Sequence, residues 1–177
     1  MKARIEIVAS GFGGQGVVRL GQVLGEAAVK QGLHVTMLKS HGTEMRGGYV
    51  RSQVVLSQEL IDSPMCENPD YFVALSMAAY NRFKNTVPDY GLIVYDPAFV
   101  DKIDDALPCT QTPLPAKQLA VENFGRPIFS NSIALGAMAK LLEADLQKNL
   151  VLESILAIIP KYHEENREAF ELGFNRM

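Results

Sequence analysis

A chain of 177 residues, 47% hydrophobic and 21% charged, is long enough to bury one core and has the make-up of an ordinary globular domain. Its formal net charge of -3 leaves no basic field for nucleic acid, and no apolar run reaches the length of a membrane span. Two cysteines, Cys66 and Cys109, are too few for an iron–sulfur cluster and argue against a disulfide framework. His34, His41 and His163 stand at no metal-ligand spacing, so no metal site is expected. The start, Met1 to Glu6, enters a strand directly and lacks a signal-peptide core, which makes the cytoplasm the expected location.

Arg4 to Ser10 reads as a buried strand, because Ile5, Ile7 and Val8 leave little polar face. It runs into Gly11-Phe12-Gly13-Gly14-Gln15-Gly16, and Gly11, Gly13 and Gly16 make a G-x-G-x-x-G spacing. Strand, glycines and helix in that order fit contact between backbone N–H groups and a phosphate or pyrophosphate. They fit a tight strand-to-helix turn equally well. Val17 to Gln31 then reads as helix, closed by Gly32. Gly21, Gly25 and Ala28 form a small-residue stripe along it, which predicts close packing. Leu33 to Leu38 is a second strand, completing a βαβ unit with a parallel crossover. A dinucleotide site would need an acid near the end of this strand. Met37, Leu38, Lys39 and Ser40 supply none; Lys39 suits a phosphate instead.

The polar stretch from Ser40 to Arg51 reads as a loop on the same sheet edge as the glycines. Arg46, set against Gly47 and Gly48, could present its guanidinium to a carboxylate or phosphate. A surface salt bridge with Glu44 is the competing use. Tyr49 to Ser57 alternates like an edge or antiparallel strand, with Val50, Val54 and Leu56 on one face and Arg51 and Gln53 on the other. Strands at Tyr71 to Leu75 and Leu92 to Tyr95 flank a helix from Met77, capped by Ser76. Cys109 to Pro115 is extended, and Ala116 to Asn123 is a short helix ending at Gly125. Three apolar helices follow: Ile133 to Glu143, capped by Asn131 or Ser132, then Leu150 to Ile159, then Tyr162 to Phe174. They must cover the sheet or a partner.

Much chemistry is missing. Val17 and Val18 follow Gly16 where a Walker loop needs Lys-Ser or Lys-Thr. There is no G-x-S-x-G nucleophile elbow and no Gly-Asp-Gly of the common thiamine-diphosphate motif. The chain reads as a ligand-contacting part of something larger.

Those residues resemble the gamma subunit of 2-oxoacid:ferredoxin oxidoreductases over nearly the full chain. The resemblance rests on Gly11-Phe12-Gly13-Gly14-Gln15-Gly16-Val17, Gly42-Thr43-Glu44-Met45-Arg46-Gly47-Gly48, Ser63-Pro64, Asn68-Pro69-Asp70, Ala79-Tyr80, and the late Asn166, Ala169 and Gly173. Thr43 and His41 depart from the proline and aromatic common there. The wording of the Glu44–Gly48 loop looks most like the branch acting on 2-oxoglutarate, with the pyruvate and branched-chain branches close.

The resemblance implies a single three-layer α/β/α domain around a mostly parallel, mixed sheet. It implies oxidative decarboxylation of a 2-oxoacid to an acyl-coenzyme A with reduction of ferredoxin. The companions would be alpha, beta and ferredoxin-like delta chains, carrying thiamine diphosphate, Mg and iron–sulfur clusters. No cofactor is expected on this chain alone, although coenzyme A would contact it. The residues expected to hold coenzyme A are Gly11, Gly13, Gly14, Gln15, Gly16, Lys39, Arg46, Gly47, Gly48 and Arg51. The isolated chain is expected to be inactive and to pair with itself. Two other readings compete: a stand-alone dinucleotide-binding oxidoreductase, and an assembly module without catalytic function.

Overall fold

The computed structural model describes residues 2–41 and 49–177. Six strands make one sheet in the order β2-β3-β1-β4-β5-β6. β1 (Arg4–Phe12) lies between β3 (Tyr49–Ser57), antiparallel to it, and β4 (Tyr71–Ala74), parallel to it. β5 (Leu92–Tyr95) and β6 (Thr110–Pro113) extend the parallel half, and β2 (His34–His41) closes the other edge against β3.

This order changes the first βαβ unit. β1 and β2 run in the same direction, but β3 is inserted between them. Half-polar alternation correctly gave β3 an antiparallel partner. It has two, and so is internal. Pairing with β3 also lengthens β1 beyond Ser10: Gly11 lies opposite Val50 and Phe12 opposite Tyr49.

α1 (Val17–Lys30) crosses one face of the sheet. Its glycine stripe is used there, since a Cβ on Gly21 would strike Ser52 and lie 3.1 Å from Val54. The helix ends in a Schellman motif around Gly32, at φ +88°: the Gly32 N–H donates to Val29 O at 2.9 Å and Leu33 N–H to Ala28 O at 3.0 Å. α3 (Ala116–Phe124), α4 (Ser130–Leu141), α5 (Lys148–Ile158) and α6 (His163–Phe174) gather on that same face around the main core.

The opposite face is thinner. α2 (Met77–Phe83), capped by the Ser76 hydroxyl accepting from Ala79 N–H at 3.1 Å, covers Val8, Phe72 and Ile93 with help from the chain around Val100 and Cys109. The Ser63–Asp70 segment is tied to β1: the Arg4 guanidinium donates to Ser63 O and Met65 O, and Glu6 Oε2 accepts from Asn68 N–H. Within that segment, burial pushes the Cys66 thiol up to about 12.

α4 begins earlier than the sequence suggests. A 3₁₀ turn at Pro127–Phe129 feeds it, so Asn131 and Ser132 sit in its first turn and are not caps. Ser132 instead donates its hydroxyl to Asn166 Oδ1 at 2.6 Å, inside the α4–α6 contact. No helix among the described residues is long and apolar enough to cross a membrane.

Candidate functional site: the glycine loop and the first turn of α1

β1 stops at Phe12 because the next two residues are glycines with no strand partner. Phe12 to Gln15 then forms a β-turn in which Gln15 N–H donates to Phe12 O at 3.3 Å. Gly14, at φ +88°, occupies the third position, which requires positive φ in a type II turn. The Gln15 side chain closes the turn from the other side, its Oε1 accepting from Phe12 N–H at 2.6 Å.

The glycines differ in what they serve. A Cβ on Gly11 would lie 2.8 Å from Leu75 and inside the Gln15 carboxamide, so Gly11 answers to packing. Gly16 is the N-cap of α1 at φ +74°, and a Cβ there would overlap the carboxamide of Asn131. Gly13 has nothing within 4 Å of where its Cβ would stand. Among the described residues nothing crowds the place of its missing side chain.

α1 starts without a side-chain cap. Its first N–H groups therefore keep their positive end toward a cavity of about 540 Å³ lined by Phe12, Gly13, Gly16, Val17, Arg19 and Asn131. That volume falls within the roughly 300–1,000 Å³ usual for small-ligand sites. A smaller cavity of about 210 Å³ adjoins it across Gly14, Ile128 and Asn131. Its wall includes the buried Asp96, whose carboxylate accepts from Ala98 N–H and Lys117 N–H, both at 2.9 Å, and so caps α3.

Not every residue singled out from sequence gathers here. Gly13, Gly14 and Gly16 line the larger cavity, and Gln15 braces it. Lys39 is exposed on the edge strand β2, on the α1 face but lining neither cavity. Arg51 faces the other side of the sheet, its guanidinium 4.9 Å from the Phe83 ring centre and its Nε buried without a hydrogen-bond partner. Arg46, Gly47 and Gly48 lie outside the described residues. The flanking ends of that stretch, His41 and Tyr49, pair at the same sheet edge as Gly11 and Phe12.

Sequence reading missed Arg19, Asp96, Ile128 and Asn131. Arg19 could have been found as the cation in the first turn of the helix after the glycines. The others reach the loop only through the tertiary fold.

Residues 6–176 match the family model described as pyruvate ferredoxin/flavodoxin oxidoreductase. A 2-oxoglutarate synthase subunit, KorC, of Methanocaldococcus jannaschii is 36% identical over 98% of this chain and 94% of its own length. The keto/oxoacid ferredoxin oxidoreductase gamma subunit of Geobacter sulfurreducens superposes with a TM-score of 0.85 at 30% identity, covering 97% of each chain. A 2-oxoglutarate:ferredoxin oxidoreductase from Magnetococcus marinus, solved with 2-oxoglutarate, coenzyme A and succinyl-CoA bound, matches 99% of this chain at TM-score 0.88 and 28% identity. The match spans 31% of that longer chain. By sequence over its whole length, and by a fold shared with the Geobacter subunit, the chain belongs to the pyruvate ferredoxin/flavodoxin oxidoreductase family.

Proposed function

We propose that this chain is the gamma subunit of a multi-subunit 2-oxoglutarate:ferredoxin oxidoreductase, and that its glycine loop and the first turn of α1 hold the pyrophosphate of coenzyme A. The observation that carries the second half is Gly13. It borders a ligand-sized cavity beside an uncapped helix N-terminus, and no described residue comes within 4 Å of where its Cβ would stand. Backbone N–H groups there suit an anion, and among the described residues Arg19 is the cation that lines the cavity. The coenzyme A carried by the Magnetococcus relative supports the choice of ligand.

The reactive groups belong to companion chains in this reading. Among the described residues no three His, Cys, Asp or Glu side chains gather to hold a metal. The reading assigns thiamine diphosphate and the clusters to alpha, beta and delta partners. Phe12 and Ile128 expose 40% and 57% of their surfaces at the cavity rim, which suits a companion chain closing over the bound coenzyme.

Titration of coenzyme A into the assembled complex tests the site. Gly13→Val should lower affinity about tenfold or more, because the added side chain blocks charge-assisted hydrogen bonds from the loop. The melting temperature should stay at the parent value. Unchanged affinity removes the coenzyme from this loop.

A further inference from the structure

We infer that β2 is a dimer seam: it pairs antiparallel with the β2 of a second copy about a two-fold axis at Met37, joining two six-stranded sheets into one. The sheet has two unlike edges. β6 is short, Thr110–Pro113, and ends in a proline with no N–H to offer. Such an edge is blunted against further pairing. β2 runs eight residues, His34–His41, without a proline and without a break in its register against β3. It is a long, regular edge of the kind that takes another strand.

The direction of its free backbone groups follows from the rest of the sheet. Glu6 O accepts from Asp70 N–H and Ser10 O from Leu75 N–H, both at 2.8 Å, so the even-numbered residues of β1 turn their backbone to β4. Ile7 and its alternates therefore turn to β3, where Ile7 lies opposite Val54. On the other side of β3, Val55 lies opposite Thr36, and that pair turns into the β2–β3 ladder. Val35, Met37 and Lys39 are left with N–H and C=O groups directed out of the sheet. Their side chains lie on the α1 face: a Cβ on Gly25 would stand 3.4 Å from Val35 Cγ1, and one on Gly21 would stand 3.0 Å from Met37 Cε.

Charge selects a second copy as the occupant, and it selects the register. An apolar groove of about 430 Å³ runs along this edge, between Gln22, Glu26 and Val29 of α1 and Val35 and Met37 of β2. Val29 is 57% exposed beside it. A dyad at Met37 sets the partner's Lys39 opposite Val35. The lysine stem then covers the groove, and its ammonium reaches Glu26, an exposed acid with Lys30 as a loose partner at 3.8 Å. Two-fold symmetry makes the same contact twice. A dyad at Thr36 would instead set the partner's Lys39 opposite Leu33, beside the end of α1 that bears Lys30, a like charge.

Cross-linking and sedimentation equilibrium of the full chain test the seam. Hydrogen-bonded residues across an antiparallel pair stand about 5.5 Å apart between Cα atoms, within disulfide reach. Met37→Cys should therefore give a disulfide-linked dimer under mild oxidation. Val35→Cys should not, because its two copies would lie about 13 Å apart along the seam. In sedimentation, Lys39→Glu and Glu26→Lys should each raise the dimer dissociation constant about tenfold, since two attractive contacts become repulsive, and the double variant should return it to the parent value. Both side chains are exposed, so these variants keep the fold. A parent chain that stays monomeric, a link through Val35→Cys in place of Met37→Cys, or a double variant as weak as the singles overturns the seam. So does an assembled complex in which Met37→Cys links only to a companion chain.

Discussion

Three glycines in one loop carry three separate physical demands, and substitution should separate them. Gly16 is constrained twice, by its left-handed φ of +74° and by the Asn131 carboxamide against its Cα. Gly16→Ala should cost about 2–3 kcal/mol of unfolding free energy, the sum of backbone strain and overpacking. Adding Asn131→Ala should return part of that loss, because it removes the collision and leaves the φ penalty. Denaturant midpoints of the two single variants and the double variant measure the coupling. The spacing of the glycines was legible in sequence because a strand, a turn and a helix leave local marks. The division of labour among them was not, because Leu75 and Asn131 meet the loop only after the chain has folded. The cations show the same limit. Lys39 and Arg51 bracket the polar stretch that sequence placed beside the glycines, but pleating and strand order send one to the edge and the other to the opposite face.

At the scale of elements, the closest contact is α4 against α6. A Cβ on Gly136 would strike Phe170 O and approach Phe174 N to 2.8 Å; one on Gly173 would strike Ile133 O. Backbone cannot yield as a side chain can, so Gly136→Ala and Gly173→Ala should each destabilise by about 3 kcal/mol, read from the shift in urea midpoint. The helices themselves were legible from apolar spacing, and the Gly21–Gly25 stripe correctly announced close packing of α1 on the sheet. The insertion of β3 between β1 and β2 was not, because a βαβ reading assumes that successive parallel strands are neighbours.

For the molecule as a whole, helices are distributed unevenly. Five cover one face of the sheet, while α2, a 3₁₀ turn and irregular chain cover the other. The sheet's carboxyl edge bears the grooves, and apolar side chains such as Phe12 and Ile128 stand open around them. This anatomy suits the proposed role, in which the chain holds a ligand for chemistry performed by a neighbour. The purified chain should therefore consume no 2-oxoglutarate in the presence of coenzyme A and an electron acceptor, whereas the reconstituted complex should. Succinyl-CoA formation, followed by mass, distinguishes the two, and turnover by the single chain would contradict the assignment. The family was legible because the loop motifs survive in the linear sequence. The cavity between α1, α4 and the α5–α6 turn was not, because those elements meet only in space.

The brace across the Phe12–Gln15 turn has a kinetic consequence. Two hydrogen bonds, one from each side, already fix the turn before anything binds. If coenzyme A binds as proposed, it would meet an already ordered turn and lose little free energy to ordering it, so capture should be governed by diffusion and charge rather than by slow reshaping of this turn.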